Sequence, residues 1–137
     1  MEVLKGFFEE RLTFYLMLLK ITPNLKGYEF MKECARRLSG DSINRFRSSE
    51  KLYSDVGKQF NEDKSIIERS VRNAIDVSLN RDGIRDFEKF MKIEFYNKKP
   101  TPKELLNMLV EKALVESNKM KLDEENLCKK WKEGLIG

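Results

Sequence analysis

The sequence predicts an all-α fold, a compact multi-helix domain containing a helix-turn-helix, and three observations support this. Apolar residues recur at spacings of three and four along most of the chain, as they do on the inner side of amphipathic helices. Only three prolines and seven glycines interrupt the 137 residues. Thr101-Pro102-Lys103-Glu104 is a helix start signal, with a threonine cap, proline at the first helical position and glutamate completing a capping box. The length suits one domain, which we expect to span residues 1–137.

The first predicted helix runs from the N-terminus to Thr22-Pro23-Asn24, because proline cannot continue the helical hydrogen-bond ladder. Its apolar residues form more than one stripe, so we expect this helix to be deeply buried or to meet another chain. These residues are Leu4, Phe7, Phe8, Leu12, Phe14, Tyr15, Leu16, Met17, Leu18 and Leu19.

A second helix is predicted over residues 27–38, with Arg36 and Arg37 outside. Its inner residues are Tyr28, Met31, Ala35 and Leu38. Residues 39–42 close this helix and offer an N-cap to a short segment around Ile43 and Phe46.

Residues 52–81 predict two helices joined by a tight polar turn. Leu52, Val56 and Phe60 lie four apart on the inner side of the first helix. Asn61 suits the left-handed backbone of a tight turn. Candidate caps of the second helix are Glu62, Asp63 and Ser65. The second helix is expected to bury Ile67, Val71, Ala74, Ile75 and Leu79 and to present Ser65, Glu68, Arg69, Arg72, Asn73 and Asp76 outside.

The turn Arg81-Asp82-Gly83 is expected to stop that helix. A further helix is predicted from Ile84, Phe87, Phe90 and Met91, and residues 93–96 suit a short extended piece. The helix that starts at Thr101 is expected to bury Leu105, Leu106, Leu109, Val110, Ala113 and Leu114. A separate last helix would carry Leu122, Leu127, Trp131 and Leu135, with Trp131 as a packing anchor.

Composition excludes several classes of function. The chain has no histidine, which excludes Ser-His-Asp and Cys-His catalysis and histidine-containing zinc sites. Cys34 and Cys128 lie far apart and are expected to be free, buried thiols of an intracellular protein. Acidic pairs such as Glu9-Glu10 face no second acid that would make them catalytic, so we expect no enzyme activity and no cofactor or metal.

The longest apolar run, residues 12–21, is too short for the ~20 residues that span a bilayer, and it lacks the flanks of a signal peptide. We therefore expect a cytoplasmic protein without membrane contact.

The excess positive charge is concentrated in the middle of the chain. The net charge is +4, and residues 26–99 hold 17 lysines and arginines against 13 acidic residues. Such an excess would favour a phosphate backbone, although an ordinary solvated surface has the same balance. Both interpretations apply to each of Arg36, Arg37, Arg45, Arg47, Lys51, Lys58 and Lys64.

Residues 52–81 also match a generic helix-turn-helix pattern, in which the second helix lies in the DNA major groove. Matching positions are Val56, Gly57, Phe60, Asn61 and Ile67. Glu62 and Ser70, in contrast, stand where an apolar residue is usual. An ordinary helical hairpin in an all-α core would give the same pattern, so the pattern alone leaves both interpretations open.

Several separated motifs carry a more specific resemblance. They are Leu25-Lys26-Gly27-Tyr28; Leu52-Tyr53, Asp55, Lys58, Phe60 and Asn61; Ser65, Glu68-Arg69, Val71-Arg72, Ala74-Ile75, Val77 and Arg81; and Lys99-Pro100-Thr101. With these motifs in order and spacing over residues 12–116, the chain resembles the C-terminal DNA-binding effector domain of stage 0 sporulation response regulators, which control endospore formation in Firmicutes. The loop near residues 90–96 is shorter or shifted.

The resemblance implies a helical domain whose recognition helix, over about residues 65–80, enters the major groove of double-stranded DNA, and domains that can sit on neighbouring elements. Ser65, Glu68, Arg69 and Arg72 fall where the family's recognition helix touches bases or phosphates. The candidate DNA-binding residues are Ser65, Ile66, Glu68, Arg69, Arg72, Asn73, Lys64 and Lys58. Ile66 stands where the family usually carries an arginine that reads guanine, so the preferred DNA sequence is expected to differ.

The family protein also has a phosphoacceptor receiver domain ahead of this region, whereas here residues 1–11 precede the match. If the Met start is natural, the protein is expected to have no aspartyl phosphorylation switch of its own. An alternative function follows, in which a receiver-less chain pairs with a full-length regulator, or with a second copy, through its apolar helices without binding DNA.

Overall fold

The computed structural model describes residues 2–40 and 49–132, and within them the chain forms six α-helices and no strand. The all-α prediction is therefore confirmed for the described residues. The helices are α1 (Glu2–Leu18), α2 (Lys26–Gly40), α3 (Ser49–Phe60), α4 (Lys64–Asn80), α5 (Gly83–Met91) and α6 (Pro102–Lys132). The predicted segment around Ile43 and Phe46 lies outside the described residues.

One apolar core joins the helices. Helix α2 packs against α3, α4 and α6, while α1 packs against α5 and α6. Helix α4 packs against α2, α3, α5 and α6. The largest fully buried side chains are Leu12, Tyr15, Leu16, Leu19, Ile21, Met31, Ile67, Ile75, Ile84, Phe87, Leu105 and Leu106. Burial of each such apolar side chain stabilises the fold by roughly 1.5–3 kcal/mol.

Helix α2 crosses α4 at close range because Gly27 has no side chain. A Cβ at Gly27 would overlap the backbone carbonyl oxygen of Ser70 and press on the Cβ of Ala74. The glycine of the family-like motif at the start of α2 thus brings this helix directly against α4.

Helix α1 ends at Leu18, four residues before the predicted stop at Thr22. Lys20 adopts a left-handed backbone with φ of 57°, and the Ile21 N–H donates to the Leu16 carbonyl at 2.9 Å. These are the features of a Schellman motif, and Leu16 and Ile21 at its two ends are both buried. The turn therefore ends the helix before proline does.

The predicted stop of α4 at Arg81-Asp82-Gly83 is confirmed, since α4 ends at Asn80; the left-handed residue of this turn is Asp82 with φ of 61°, and Gly83 is the first residue of α5. Two further predictions are corrected. Residues 93–96 form no strand. The two predicted C-terminal helices are one, α6, because no proline or glycine interrupts residues 103–132.

The interior contains one of the two thiols. Cys34 is buried, and desolvation raises the pKa of its thiol to about 12, so it is an inert core residue. Cys128 is exposed on α6, so the prediction that both thiols are buried is wrong for this residue. The side chain of Trp131 lies outside the described residues. None of the helices in residues 2–40 and 49–132 has the length and apolar character to cross a membrane.

Candidate nucleic-acid interface

Helices α3 and α4 are joined by a turn of three residues whose geometry depends on Gly57 and Asn61. Asn61 has a φ of 56°, as predicted, and the Glu62 N–H donates to the Gly57 carbonyl at 2.8 Å. A Cβ at Gly57 would lie 2.5 Å from the Glu62 carbonyl oxygen, closer than real Cβ contacts allow. Glycine at this position lets the chain fold back tightly onto the end of α3.

Helix α4 begins with a side-chain cap from Asp63. Its carboxylate accepts a hydrogen bond from the Ser65 N–H at 2.9 Å, which satisfies one of the free donors of the first turn. Hydrogen bonds from the Ser65 backbone and side chain hold the pKa of the Asp63 carboxyl below its usual value. Of the three candidate caps, Asp63 fills this role.

The two faces of α4 differ sharply in burial. Its inner face buries Ile67, Val71, Ala74, Ile75 and Ser78. Leu79, predicted for the core, is half-buried, and Ser78 takes the core position instead. The outer face exposes Lys64, Ser65, Arg69, Arg72 and Asn73, while Ile66, Glu68 and Asp76 are half-buried. Seven of the eight candidate residues, from Lys64 to Asn73, therefore lie on one helix.

Glu68 and Arg72 form an ion pair one turn apart on this outer face. Arg72 Nη2 donates to Glu68 Oε1 at 2.8 Å, and the side chains are 62% exposed for Arg72 and 44% for Glu68. A pair this exposed contributes little to stability, so both groups can exchange partners. Arg69 is exposed and forms no ion pair with another described residue, and its guanidinium carries five donors.

Two lysines flank the outer face of α4. Lys58 is exposed on the last turn of α3. Lys64, at the start of α4, pairs with Glu50 on α3, and this hydrogen bond raises the pKa of the ammonium and lowers that of the carboxyl. The pairing of Lys64 joins the two helices and was not predicted, since Glu50 lies 14 residues earlier in the sequence.

The family model described as "Sporulation initiation factor Spo0A C terminal" matches residues 12–113 of the 137 residues. The chain belongs to the Spo0A C-terminal family. This is a family of all-helical DNA-binding domains of sporulation regulators and not a family of enzymes. The match includes α2, α3, α4 and α5 in full, with the end of α1 from Leu12 and the first part of α6.

The two arginines of α2 contact residues of α1, α2 and α3. Arg36 bonds Glu9 on α1 through Nε at 2.5 Å and Nη2 at 3.0 Å. Arg37 bonds Gln59 on α3 at 2.6 Å and pairs with Glu33 at 3.0 Å. These arginines join helices within the Spo0A C-terminal fold, which agrees with the interpretation of them as ordinary surface.

The structure also brings to α4 a residue that is absent from the eight sequence candidates. Lys99, in the loop between α5 and α6, pairs with Asp76 on the outer face of α4. The two residues are 23 positions apart, so no local pattern indicates the contact. The one signal is Lys99-Pro100-Thr101, which is among the motifs resembling the Spo0A C-terminal family.

Proposed function

We propose that this protein is a sequence-specific, double-stranded DNA-binding transcription regulator that reads the major groove with α4. The observation that carries the proposal is the outer face of α4. Ser65, Arg69, Arg72 and Asn73 are exposed on one side of a helix whose opposite side is fixed in the core. A helix held in this way presents side chains to a groove at low cost in conformational entropy.

The chemistry of the outer face suits base recognition. Arg69 and Arg72 can each form two hydrogen bonds to guanine O6 and N7, and Glu68 can accept from cytosine N4. Asn73 can pair with adenine N6 and N7. Each such contact would discriminate against the wrong base by roughly 1–3 kcal/mol.

The first turn of α4 favours a DNA sequence that differs from the one read by family members with an arginine at the position of Ile66. Ile66 is half-buried and apolar, so it can contact a thymine methyl group but cannot donate to guanine. Ser65 would bond a base edge or a phosphate oxygen, and Lys58 and Lys64 would hold phosphates beside the helix.

Selection of bound duplexes from a random pool tests the proposal and yields the preferred element. Gel shifts with that element and with a scrambled duplex, from low to physiological salt, then measure specificity. We expect the selected duplex to bind with nanomolar to micromolar affinity and the affinity to fall steeply with salt, because bound counterions are released. Absence of any shift at micromolar protein and low salt would contradict the proposal.

A second candidate function is pairing with a full-length regulator or with a second copy. The C-terminal half of α6 favours it, because Leu122 and Leu127 are exposed there and Val115 is exposed about two turns before Leu122. Sedimentation of the chain alone and with a full-length regulator distinguishes the two functions. A chain that stays monomeric, does not bind the regulator and shifts DNA in a gel would support DNA reading alone.

A further inference from the structure

The loop between α5 and α6 is fixed at two buried residues and projects four exposed ones between them. Phe95 is buried, and its ring stacks on Phe87 with 6.3 Å between centroids. Its N–H donates to the Glu88 carboxylate at 2.9 Å. Pro100 is buried immediately before the cap of α6. The exposed residues are Tyr96, Asn97, Lys98 and Lys99.

Tyr96 is 96% exposed, although it follows a residue that is firmly packed. Such an exposed aromatic side chain contributes almost no buried area to the fold. The loop therefore holds Tyr96 and Lys98 in solvent on a backbone whose two ends are fixed.

Lys99 places this loop beside the outer face of α4. It pairs with Asp76, and both side chains are about half exposed. Glu68, Arg72 and Asp76 follow one another at intervals of one turn on the outer face of α4, and Asp76 lies about 6 Å beyond Arg72 along the helix axis. The pairing also neutralises a carboxylate that would otherwise repel a DNA phosphate next to α4.

The positive charge of the loop is complementary to that of a polyanion such as DNA. Residues 92–103 contain four lysines and one acidic residue, Glu94. Lys98 is exposed, and within the part of the chain that the structure describes no carboxylate pairs with its ammonium. Lysine and tyrosine are both side chains that hydrogen-bond phosphate oxygens.

We infer that residues 96–99 form a second DNA-binding element, which contacts the phosphate backbone along one wall of the groove that α4 occupies. The inference rests on the proposed function. The Lys98 ammonium and the Tyr96 hydroxyl bind phosphates, while Lys99 holds the loop against α4. Since phosphates are the same in every sequence, this loop raises affinity and fixes the register of the helix without selecting bases.

The test compares Lys98→Ala with Lys119→Ala in the full chain. Lys119 is an exposed lysine on α6, about 25 Å along the helix axis from its start, and its removal changes the net charge equally. Binding constants for the selected and the scrambled duplex are measured over a salt series. We expect Lys98→Ala to reduce the slope of log K against log salt by about 0.9, which corresponds to about eightfold weaker binding at 0.1 M salt. The loss should be the same on both duplexes, and Lys119→Ala should leave the slope unchanged.

Tyr96→Phe provides a second variant that leaves the fold intact, since it removes only an exposed hydroxyl. It should weaken both duplexes by the same factor. Equal slopes for Lys98→Ala, Lys119→Ala and the wild type would overturn the inference while leaving DNA reading by α4 in place. A loss confined to the selected duplex would also overturn it, because the loop would then read bases. If the wild type binds neither duplex, the proposed function itself fails.

Discussion

Lys20 and Arg81 each donate a hydrogen bond to the other's backbone. Lys20 Nζ donates to the Arg81 carbonyl at 2.8 Å, and Arg81 Nη1 donates to the Lys20 carbonyl at 3.1 Å. Beside them, the buried Ser78 hydroxyl donates to the Leu19 carbonyl at 2.5 Å. The C-terminal end of α4 is thereby attached to the turn that ends α1. At the other end of α4, Lys64 pairs with Glu50 on α3, so both ends of the proposed reading helix are attached to neighbouring elements.

Ser78→Ala is expected to destabilise the fold by about 1–3 kcal/mol, because the Leu19 carbonyl loses a buried partner. Urea denaturation followed by circular dichroism measures the change. Ser117→Ala is the matched control, since the buried Ser117 hydroxyl bonds the Ala113 carbonyl of its own helix at 2.8 Å. That control should differ from the wild type by no more than ~0.5 kcal/mol, because the Ala113 carbonyl keeps its helical N–H partner and alanine has a higher helix propensity than serine. Equal losses in the two variants would contradict a role for Ser78 in attaching α4 to α1.

Gly57→Ala is expected to destabilise the α3–α4 turn by roughly 1–3 kcal/mol, because the new methyl group would press on the Glu62 carbonyl. The free energy of unfolding in urea gives the magnitude. Gly6→Ala is the control, because Gly6 lies within α1 and a methyl group added there would meet no neighbour within 4 Å. Alanine there should stabilise the protein by roughly 0.5–1 kcal/mol through helix propensity. A stable Gly57→Ala variant would show that the turn tolerates a side chain.

Local signals in the sequence predicted most of the fold. The spacing of apolar residues located the helices, Asn61 the left-handed turn and Thr101 the cap of α6, where the Glu104 N–H donates to the Thr101 hydroxyl at 3.1 Å. The end of α1 was misplaced because a lysine at φ of 57° is unusual and is supported by contacts from Arg81 and Asp86. Those contacts are distant in sequence, so no window along the chain reveals them.

The sequence indicated the candidate residues on α4 but not the residues of other elements that contact them. Helical periodicity places Arg69 and Arg72 on a different side of α4 from the buried Val71. The spacing of apolar residues in the sequence is therefore enough to identify the outer face. The partner of Lys64 on α3 and the partner of Asp76 in the α5–α6 loop depend on how the helices pack. Such contacts follow from tertiary structure and have no signature in local spacing.

Acid is expected to remove the contribution of the Asp63 cap to stability. Hydrogen bonds from Ser65 lower the pKa of this carboxyl in the folded state. The cap therefore contributes its full stability at pH values above the unfolded-state pKa, and this contribution is lost as the pH falls through the folded-state pKa. The advantage of the wild type over Asp63→Ala in thermal melts should therefore be constant at neutral pH and shrink below about pH 4. Asp63→Asn caps without titrating, so its advantage over Asp63→Ala should persist in acid. A wild-type advantage that does not change with pH would contradict the role of the ionised carboxylate.

Arg69→Ala and Arg72→Ala are each expected to reduce discrimination between the selected and a scrambled duplex by roughly 1–3 kcal/mol, about 5- to 150-fold, through loss of a two-bond contact to guanine. Both side chains are exposed, so thermal melts should match the wild type, with Arg72→Ala losing only a surface pair with Glu68. Lys129→Ala, an exposed lysine on α6, removes the same charge far from α4 and should leave discrimination unchanged. Affinities for duplexes substituted one base at a time then show which base each arginine reads, since the preference at that position alone should disappear. If both variants lose affinity equally on every sequence, the arginines hold phosphates, and base reading must come from other residues of the α4 face.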